Sequence, residues 1–320
     1  MAAEPCAEER IDMNSGISRR MFLGAAGTAL AASTAGRSAS DRDGATEDGV
    51  TPAASTARLF SGCCAYSYRK YLESKKMTME ESILKAVELG IDGVDMTVYW
   101  LKSTDPAYLV SLRHLARNNG VCFSGAACGA STVQADAAKR EKVLEDIKKW
   151  VDATEVLGTS HLRVFAGELP KGATTAEGVA WTVEILKPAS KYAAGKGITL
   201  GIEDHGGITQ RADVCLELMR KIDSPYCGIN LDISNFIAPS DDEHYQQIEA
   251  TVRYATHTHI RDKFGDSQRP IDLDRVWQIF AKAGYKGFMS AEYEGEEDAM
   301  TGVPKLLQQI KTLNRKYSNV

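Results

Sequence analysis

Glu203, Asp232, His259 and Glu292 are the residues whose types and spacing could do chemistry together. Each closes a short stretch that alternates in character. In Ile198-Thr-Leu-Gly-Ile-Glu203 the bulky Ile198, Leu200 and Ile202 fall on one side of an extended chain, and Thr199, Gly201 and Glu203 on the other. In Gly228-Ile-Asn-Leu-Asp232, Ile229 and Leu231 share one side, and Gly228, Asn230 and Asp232 the other. His257 shares a side with His259, Ser290 with Glu292, and Arg163 with His161. Three carboxylates brought together without a counter-ion repel and mostly take up protons. One divalent cation removes that penalty. Oxygen ligands with one imidazole suit Mn²⁺ as the leading choice, with Mg²⁺, Co²⁺ or Zn²⁺ also able to serve.

Such a set converges only if the strands that carry it are neighbours. Strand-like stretches recur at 58–65, 91–98, 120–127, 160–166, 198–204, 226–233, 255–261 and 286–293. Helical stretches follow them near 78–89, 105–118, 134–157, 176–196, 209–222, 242–253, 272–283 and 298–316. Eight strands, each followed by a helix, predict an α/β fold, a (β/α)8 TIM barrel over 58–320, which carries its active site at the C-terminal strand ends. Leu89-Gly90, Asn118-Asn-Gly120, Gly195-Lys-Gly197 and Ala283-Gly-Tyr285 place glycine where a helix needs a left-handed cap. The rival, an open doubly wound sheet, usually brings a glycine-rich phosphate loop after its first strand, and Gly62-Cys-Cys-Ala-Tyr-Ser67 is not one.

Four motifs in order carry a family likeness: Gly201-Ile-Glu-Asp-His-Gly-Gly207, Gly228-Ile-Asn-Leu-Asp-Ile-Ser-Asn-Phe236, His257-Thr-His-Ile-Arg-Asp262 and Gly284-Tyr-Lys-Gly-Phe-Met-Ser-Ala-Glu-Tyr-Glu294. With Gly93-Val-Asp-Met-Thr97 and Leu162-Arg-Val-Phe-Ala-Gly167 the likeness covers roughly 58–316. At these residues the chain resembles the xylose-isomerase-like barrel superfamily of sugar isomerases and epimerases. The resemblance implies one divalent metal held by Glu203, Asp232, His259 and Glu292, with Glu203 and Glu292 as the proton-transfer pair. It departs from the sugar epimerases at Asn235, three residues after the metal-binding aspartate, where they often carry histidine. An amide hydrogen-bonds a sugar hydroxyl but does not shuttle a proton at neutral pH.

The reading that follows is a metal-dependent isomerase or epimerase acting on an unphosphorylated sugar or keto-sugar through an enediolate. Loss of a β-substituent from the same intermediate would instead make a keto-glycoside lyase or hydrolase, and a catalytically inactive sugar-binding protein is the third alternative. His257 and Asn235 are read as substrate contacts. Arg163 either holds a substrate oxygen or pairs with an inward carboxylate. His205 serves the substrate or starts a helix on loop backbone. Tyr68, with Tyr66, Arg69, Tyr99 and Trp100, offers aromatic faces for sugar C–H groups or simple rim packing. Glu294 is expected to be a loop or surface charge. The abasic-site endonucleases of the same superfamily need several metals and many histidines. This chain has only six, His114, His161, His205, His244, His257 and His259, and none at the third strand end.

Residues 1–35 hold Arg19-Arg20, then Met-Phe-Leu-Gly-Ala-Ala-Gly-Thr-Ala-Leu, then Ser33-Thr-Ala35. They resemble a twin-arginine export signal with a peptidase site. The apolar run is too short and too rich in Gly, Ala and Thr for a stable membrane span, which needs about 20 apolar residues. A periplasmic or otherwise exported bacterial protein is expected. Residues 36–57 lack large apolar side chains and read as a disordered linker. A net charge of −5 without a basic block argues against a nucleic-acid partner, and self-association into a homo-oligomer is compatible with this reading. Cys63, Cys64, Cys122, Cys128, Cys215 and Cys227 show no zinc-type spacing and are expected to be mostly free and buried.

Overall fold

The computed structural model describes residues 56–318. The expected signal peptide and most of the expected linker lie outside the described residues. Eight parallel strands close into a barrel in sequence order: β1 (Arg58–Cys64), β2 (Gly93–Thr97), β3 (Cys122–Ser131), β4 (His161–Phe165), β5 (Thr199–Glu203), β6 (Cys227–Asp232), β7 (Ala255–Ile260) and β8 (Lys286–Ala291). The helices are α1 (Arg69–Glu73), α2 (Met79–Glu88), α3 (Pro106–Asn118), α4 (Ala137–Leu157), α5 (Thr175–Ala194), α6 (Ala212–Ile222), α7 (Asp241–Thr251), α8 (Leu273–Lys282) and α9 (Ala299–Tyr317). The (β/α)8 barrel is therefore as expected, with the short α1 added. No helix among the described residues is long and apolar enough to cross a membrane.

Local signals set the ends of these elements. Thr78 and Thr174 begin α2 and α5 with reciprocal bonds to Glu81 and Glu177, satisfying amide donors that have no partner inside the helix. Gly90, Gly120, Gly197 and Gly284 take positive φ values where their helices turn back to a strand, as the sequence predicts. Two of the shifted strand ends bear on the site. The third strand runs on to Ser131 because the small residues after Ala127 let it rejoin β4 past a register shift. The eighth stops at Ala291, so Glu292 is the first residue beyond it, its N–H still bonded to the Ile260 carbonyl at 2.9 Å.

The apolar core lies between barrel and helices. Leu162, Val164, Leu200, Ile202, Ile229 and Leu231 face outward and are fully buried in one apolar cluster with inward helix residues such as Ile185, Leu218 and Val276. The interior is mostly polar. His161 and His257 stack at 5.0 Å in its middle. Gly201 makes room for them: a Cβ there would overlap the His161 ring.

Tyr68 corrects an expectation. It is 2% exposed and packs outside the barrel with Cys63, Ala65, Ser82, Ala86 and Val94, under α2. The chain leaves β1 through a single turn of 3₁₀ helix (Ala65–Tyr68), and that turn swings Tyr68 away from the mouth.

Candidate active site and metal centre

The four residues singled out by strand parity do meet. One ligand atom from each of Glu203, Asp232, His259 and Glu292 lies within 4.8 Å of all the others, and all four are buried. They come from β5, β6, β7 and the residue after β8, with Asp232 in register beside His259. His259 Nδ1 stands 3.4 Å from Glu203 Oε1 and 3.5 Å from Glu292 Oε2. Asp232 Oδ1 accepts bonds from the Ser234 N–H at 2.8 Å and its hydroxyl at 2.6 Å, which turns Oδ2 away from the loop. The Asp232 N–H donates to Asp204 Oδ1 at 2.8 Å.

Asp95 and Cys64 join this set, and the sequence reading did not assign either. His259 Nε2–H donates to Asp95 Oδ2 at 2.8 Å, so the bond fixes the ring and aims Nδ1 at the glutamates. Asp95 is 1% exposed. Its signal was a lone acid inside apolar β2, on the inward side with Gly93 and Thr97. The Cys64 thiol donates to Glu292 Oε1 at 3.6 Å.

Arg163 settles the alternative left open for it. Its Nε lies 3.0 Å from Glu203 Oε2, an ion pair with both side chains buried, and its guanidinium rests on the Phe165 ring 3.9 Å from the centroid. His205 is exposed at the rim against the same Phe165 ring. Asn235 is half-buried, and its Oδ1 accepts from Arg261 Nη1 at 3.3 Å. Arg261 also reaches within 3.8 Å of Asp232 and 3.2 Å of Glu294, which is an exposed loop charge as expected and is joined to the rim of the site by this ion pair. Tyr99, 45% exposed, and Trp100 stand at the mouth, with the Tyr99 hydroxyl 3.5 Å from Arg163. A cavity of 370 Å³ between α1 and the start of α9 includes none of these ligands.

His257 corrects a second expectation. It lies one inward position below His259, roughly 6.6 Å down the strand, and is 1% exposed. Its Nε2 is 3.2 Å from the Ser124 hydroxyl and 3.4 Å from that of Ser290. It forms part of the barrel floor, beneath the carboxylate cluster.

The electrostatics divide the two glutamates. Burial alone would raise Glu203, but the Arg163 charge and then His259 outweigh it and lower it to about 2. Burial raises Glu292 to about 8; His259 opposes this, while Glu203 and Asp232 add to it. Burial opposes charge on His259, yet Glu292, Cys64, Glu203 and Asp95 together raise it well above its ordinary value. Burial and the charge of Asp232 push Asp204 well up.

The donor set fits a divalent cation. Asp232 Oδ2, Glu203 Oε2 and Asp95 Oδ1 are buried without hydrogen-bond partners, although Arg163 stands in ion-pair range of Glu203. Buried carboxylate oxygens are costly to leave unpaired. Two ligands of one tetrahedral ion stand roughly 3.4 Å apart when each bond is about 2.1 Å, which matches the His259–glutamate spacings. A family model described as "Xylose isomerase-like TIM barrel" matches residues 83–313.

The chain belongs to the xylose isomerase-like TIM barrel family.

Solved structures agree on the xylose isomerase-like fold. D-psicose 3-epimerase from Clostridium cellulolyticum H10, solved with D-tagatose, superposes with a TM-score of 0.66 at 15% identity, covering 82% of this chain and 100% of its own. The 3-keto-D-glucoside 4-epimerase from E. coli gives 0.64 at 14% identity, covering 80% and 99%. A xylose isomerase domain protein from Planctomyces limnophilus gives 0.64 at 15%, covering 82% and 99%. No curated protein matches the chain in sequence. At these identities the likeness is one of fold.

Proposed function

We propose that this chain is a metal-dependent sugar isomerase or epimerase that moves a proton between Glu203 and Glu292. The observation that carries the reading is the convergence of the two buried glutamates with Asp232 and His259 around one point. Arg163 keeps Glu203 ionised, which suits a base. Burial and neighbouring charge keep Glu292 protonated near neutral pH, which suits an acid. Glu203, Asp232, His259 and Glu292 would hold the cation, with Mn²⁺ the leading choice. When bound, it supplies Lewis-acid polarisation of the substrate carbonyl.

Glu203 takes the proton from the carbon beside the carbonyl, leaving an enediolate. Glu292 returns a proton to the opposite face, which inverts the carbon, or to the neighbouring carbon, which isomerises the sugar. Arg163 stays paired with Glu203 and fixes where its carboxylate points. Asn235 and Arg261 offer an amide and a guanidinium to substrate hydroxyls, and His205, Tyr99 and Trp100 flank the entrance. The superposed epimerases, named for D-psicose and a 3-keto-D-glucoside and in the first case solved with D-tagatose, support a free sugar or keto-sugar substrate. Residues 18–35 support export by the twin-arginine route, where sugar phosphates are rare. Replacing Arg19 and Arg20 by lysine should leave full-length precursor in the cytoplasm, and normal processing of that variant would refute the route.

Proton exchange from D₂O into a panel of free and 3-keto sugars tests the chemistry. Metal-loaded protein should label the carbon beside the carbonyl, and Glu203→Gln and Glu292→Gln should not. Exchange that is equally fast in metal-free protein overturns the reading. Labelling accompanied by loss of an aglycone would redirect it to the keto-glycoside lyase alternative.

A further inference from the structure

Cys63 and Cys64 are adjacent but face opposite ways. Cys63 points out of the barrel beside Tyr68 and Val94. Cys64 is the last residue of β1, wholly buried, paired in register with Asp95, and turned inward. Its sulfur, with one atom each of His259 and Glu292, forms a second ligand set whose members lie within 4.8 Å of one another. This set shares His259 and Glu292 with the carboxylate set. Sulfur and oxygen ligands of one tetrahedral ion, with bonds of about 2.3 and 2.1 Å, stand roughly 3.6 Å apart, and Cys64 Sγ to Glu292 Oε1 is 3.6 Å. Asp232 Oδ2, fully buried and without a hydrogen-bond partner although Arg261 stands 3.8 Å away, independently marks the same space as one that takes a ligand.

We propose that Cys64 is a further ligand of this centre, engaged by borderline cations such as Co²⁺ and Zn²⁺ and left unused by Mn²⁺ and Mg²⁺. The proposal rests on the cluster holding a cation, as argued above. Thiolate is a soft donor that selects zinc-like ions, whereas carboxylates serve hard and borderline ions alike. On engagement the sulfur–metal bond forms, the S–H proton passes to solvent, and the contact with Glu292 is given up. Identity of the bound cation then decides whether Glu292 keeps a thiol neighbour, so the same chain presents two different acid groups to a substrate.

Full-length protein loaded with Co²⁺ tests this by absorption. A thiolate-to-cobalt charge-transfer band is expected in the near ultraviolet. Cys64→Ser should abolish it and Cys63→Ser should keep it. In Cys64→Ser, Zn²⁺ affinity should fall on the order of tenfold, the scale of effects around metal sites, with Mn²⁺ affinity unchanged. X-ray absorption on the unaltered Zn²⁺-loaded chain reads the same point without a variant: a sulfur shell at about 2.3 Å is expected. An oxygen and nitrogen shell alone, with Zn²⁺ bound, overturns the role of Cys64 and leaves the four-residue centre standing. Failure of both Mn²⁺ and Zn²⁺ to bind overturns both.

Discussion

Two histidines on one strand, two residues apart, show how the barrel interior is divided. His259 lies among Glu203, Glu292, Cys64 and Asp95 and is held well above its ordinary pKa, burial opposing and the carboxylates winning. His257 lies one step deeper, beside His161, Ser124 and Ser290, and burial lowers it to about 4. His161 is lowered well below its usual value, by burial first and by His257 next. The rings and strand are alike, so the sequence neighbourhood does not explain the split. The upper level concentrates acidic groups with unpaired oxygens, whereas the lower level is neutral and hydroxyl-bonded. Ion binding and chemistry belong to the first, and a rigid floor to the second.

The largest expected effect strikes the upper level. Glu292→Gln should lower sugar proton exchange by roughly 10²–10⁴-fold, the worth of a positioned acid–base group, and by more than its loss of metal affinity accounts for. Metal titration alongside exchange rates checks the difference. An exchange loss that merely tracks affinity would make Glu292 a ligand and nothing more.

Next come the groups that aim His259. Asp95→Asn should weaken metal binding by about 10–100-fold, the usual cost of losing a partner behind a histidine ligand. His259→Ala should weaken it further and be partly rescued by excess Mn²⁺. Calorimetric titration decides. An Asp95→Asn chain with unchanged affinity would show that the 2.8 Å bond to His259 is incidental.

The two levels should also respond oppositely to pH. The lowered pKa of His257 means the unfolded chain binds protons more readily as pH falls from about 6.5 to 4, so its contribution to stability is present above 6.5 and lost on acidification, on the order of 3 kcal/mol. Glu292, raised to about 8, acts in the other sense: the folded chain holds its proton more tightly, and stability declines as pH rises from 4.5 towards 8. Metal-free protein should therefore show a shallow dependence of melting temperature on pH across about 4.5–6.5, where the two oppose, and a decline from about 6.5 to 8, where only Glu292 acts. With the cation bound, stability should climb with pH, because protons compete with the cation for its carboxylate and imidazole ligands. Parallel melting curves with and without chelator measure it, and equal slopes would erase the distinction between levels.

The smallest effect tests a residue outside both levels. Tyr68→Phe removes a buried hydroxyl that has no hydrogen-bond partner, so stability should change by less than about 1 kcal/mol, and proton exchange should not change. A large loss of exchange would return Tyr68 to the site.

How much was legible in the sequence follows from what periodicity encodes. Alternation in β5 and β6 and the glycines after the helices gave eight strands, eight main helices and the inward direction of Glu203, Asp232, His259 and Glu292. These are local properties: an extended chain has period two, and a helix end needs a particular backbone angle. Depth and partnership were not local. His257 and His259 have the same parity, and only the register of β7 against its neighbours put one in the floor and the other in the centre. Arg163 meets Glu203 across forty residues of chain, and Asp95 meets His259 across 164. Tyr68 left the mouth because one 3₁₀ turn rotated it outward, and Cys64 entered because β1 closes the barrel beside β8. The sequence by itself determined which residues face inward. Closure of the barrel decided which of them touch, because contacts between distant strands depend on shear and register that no single stretch of chain contains.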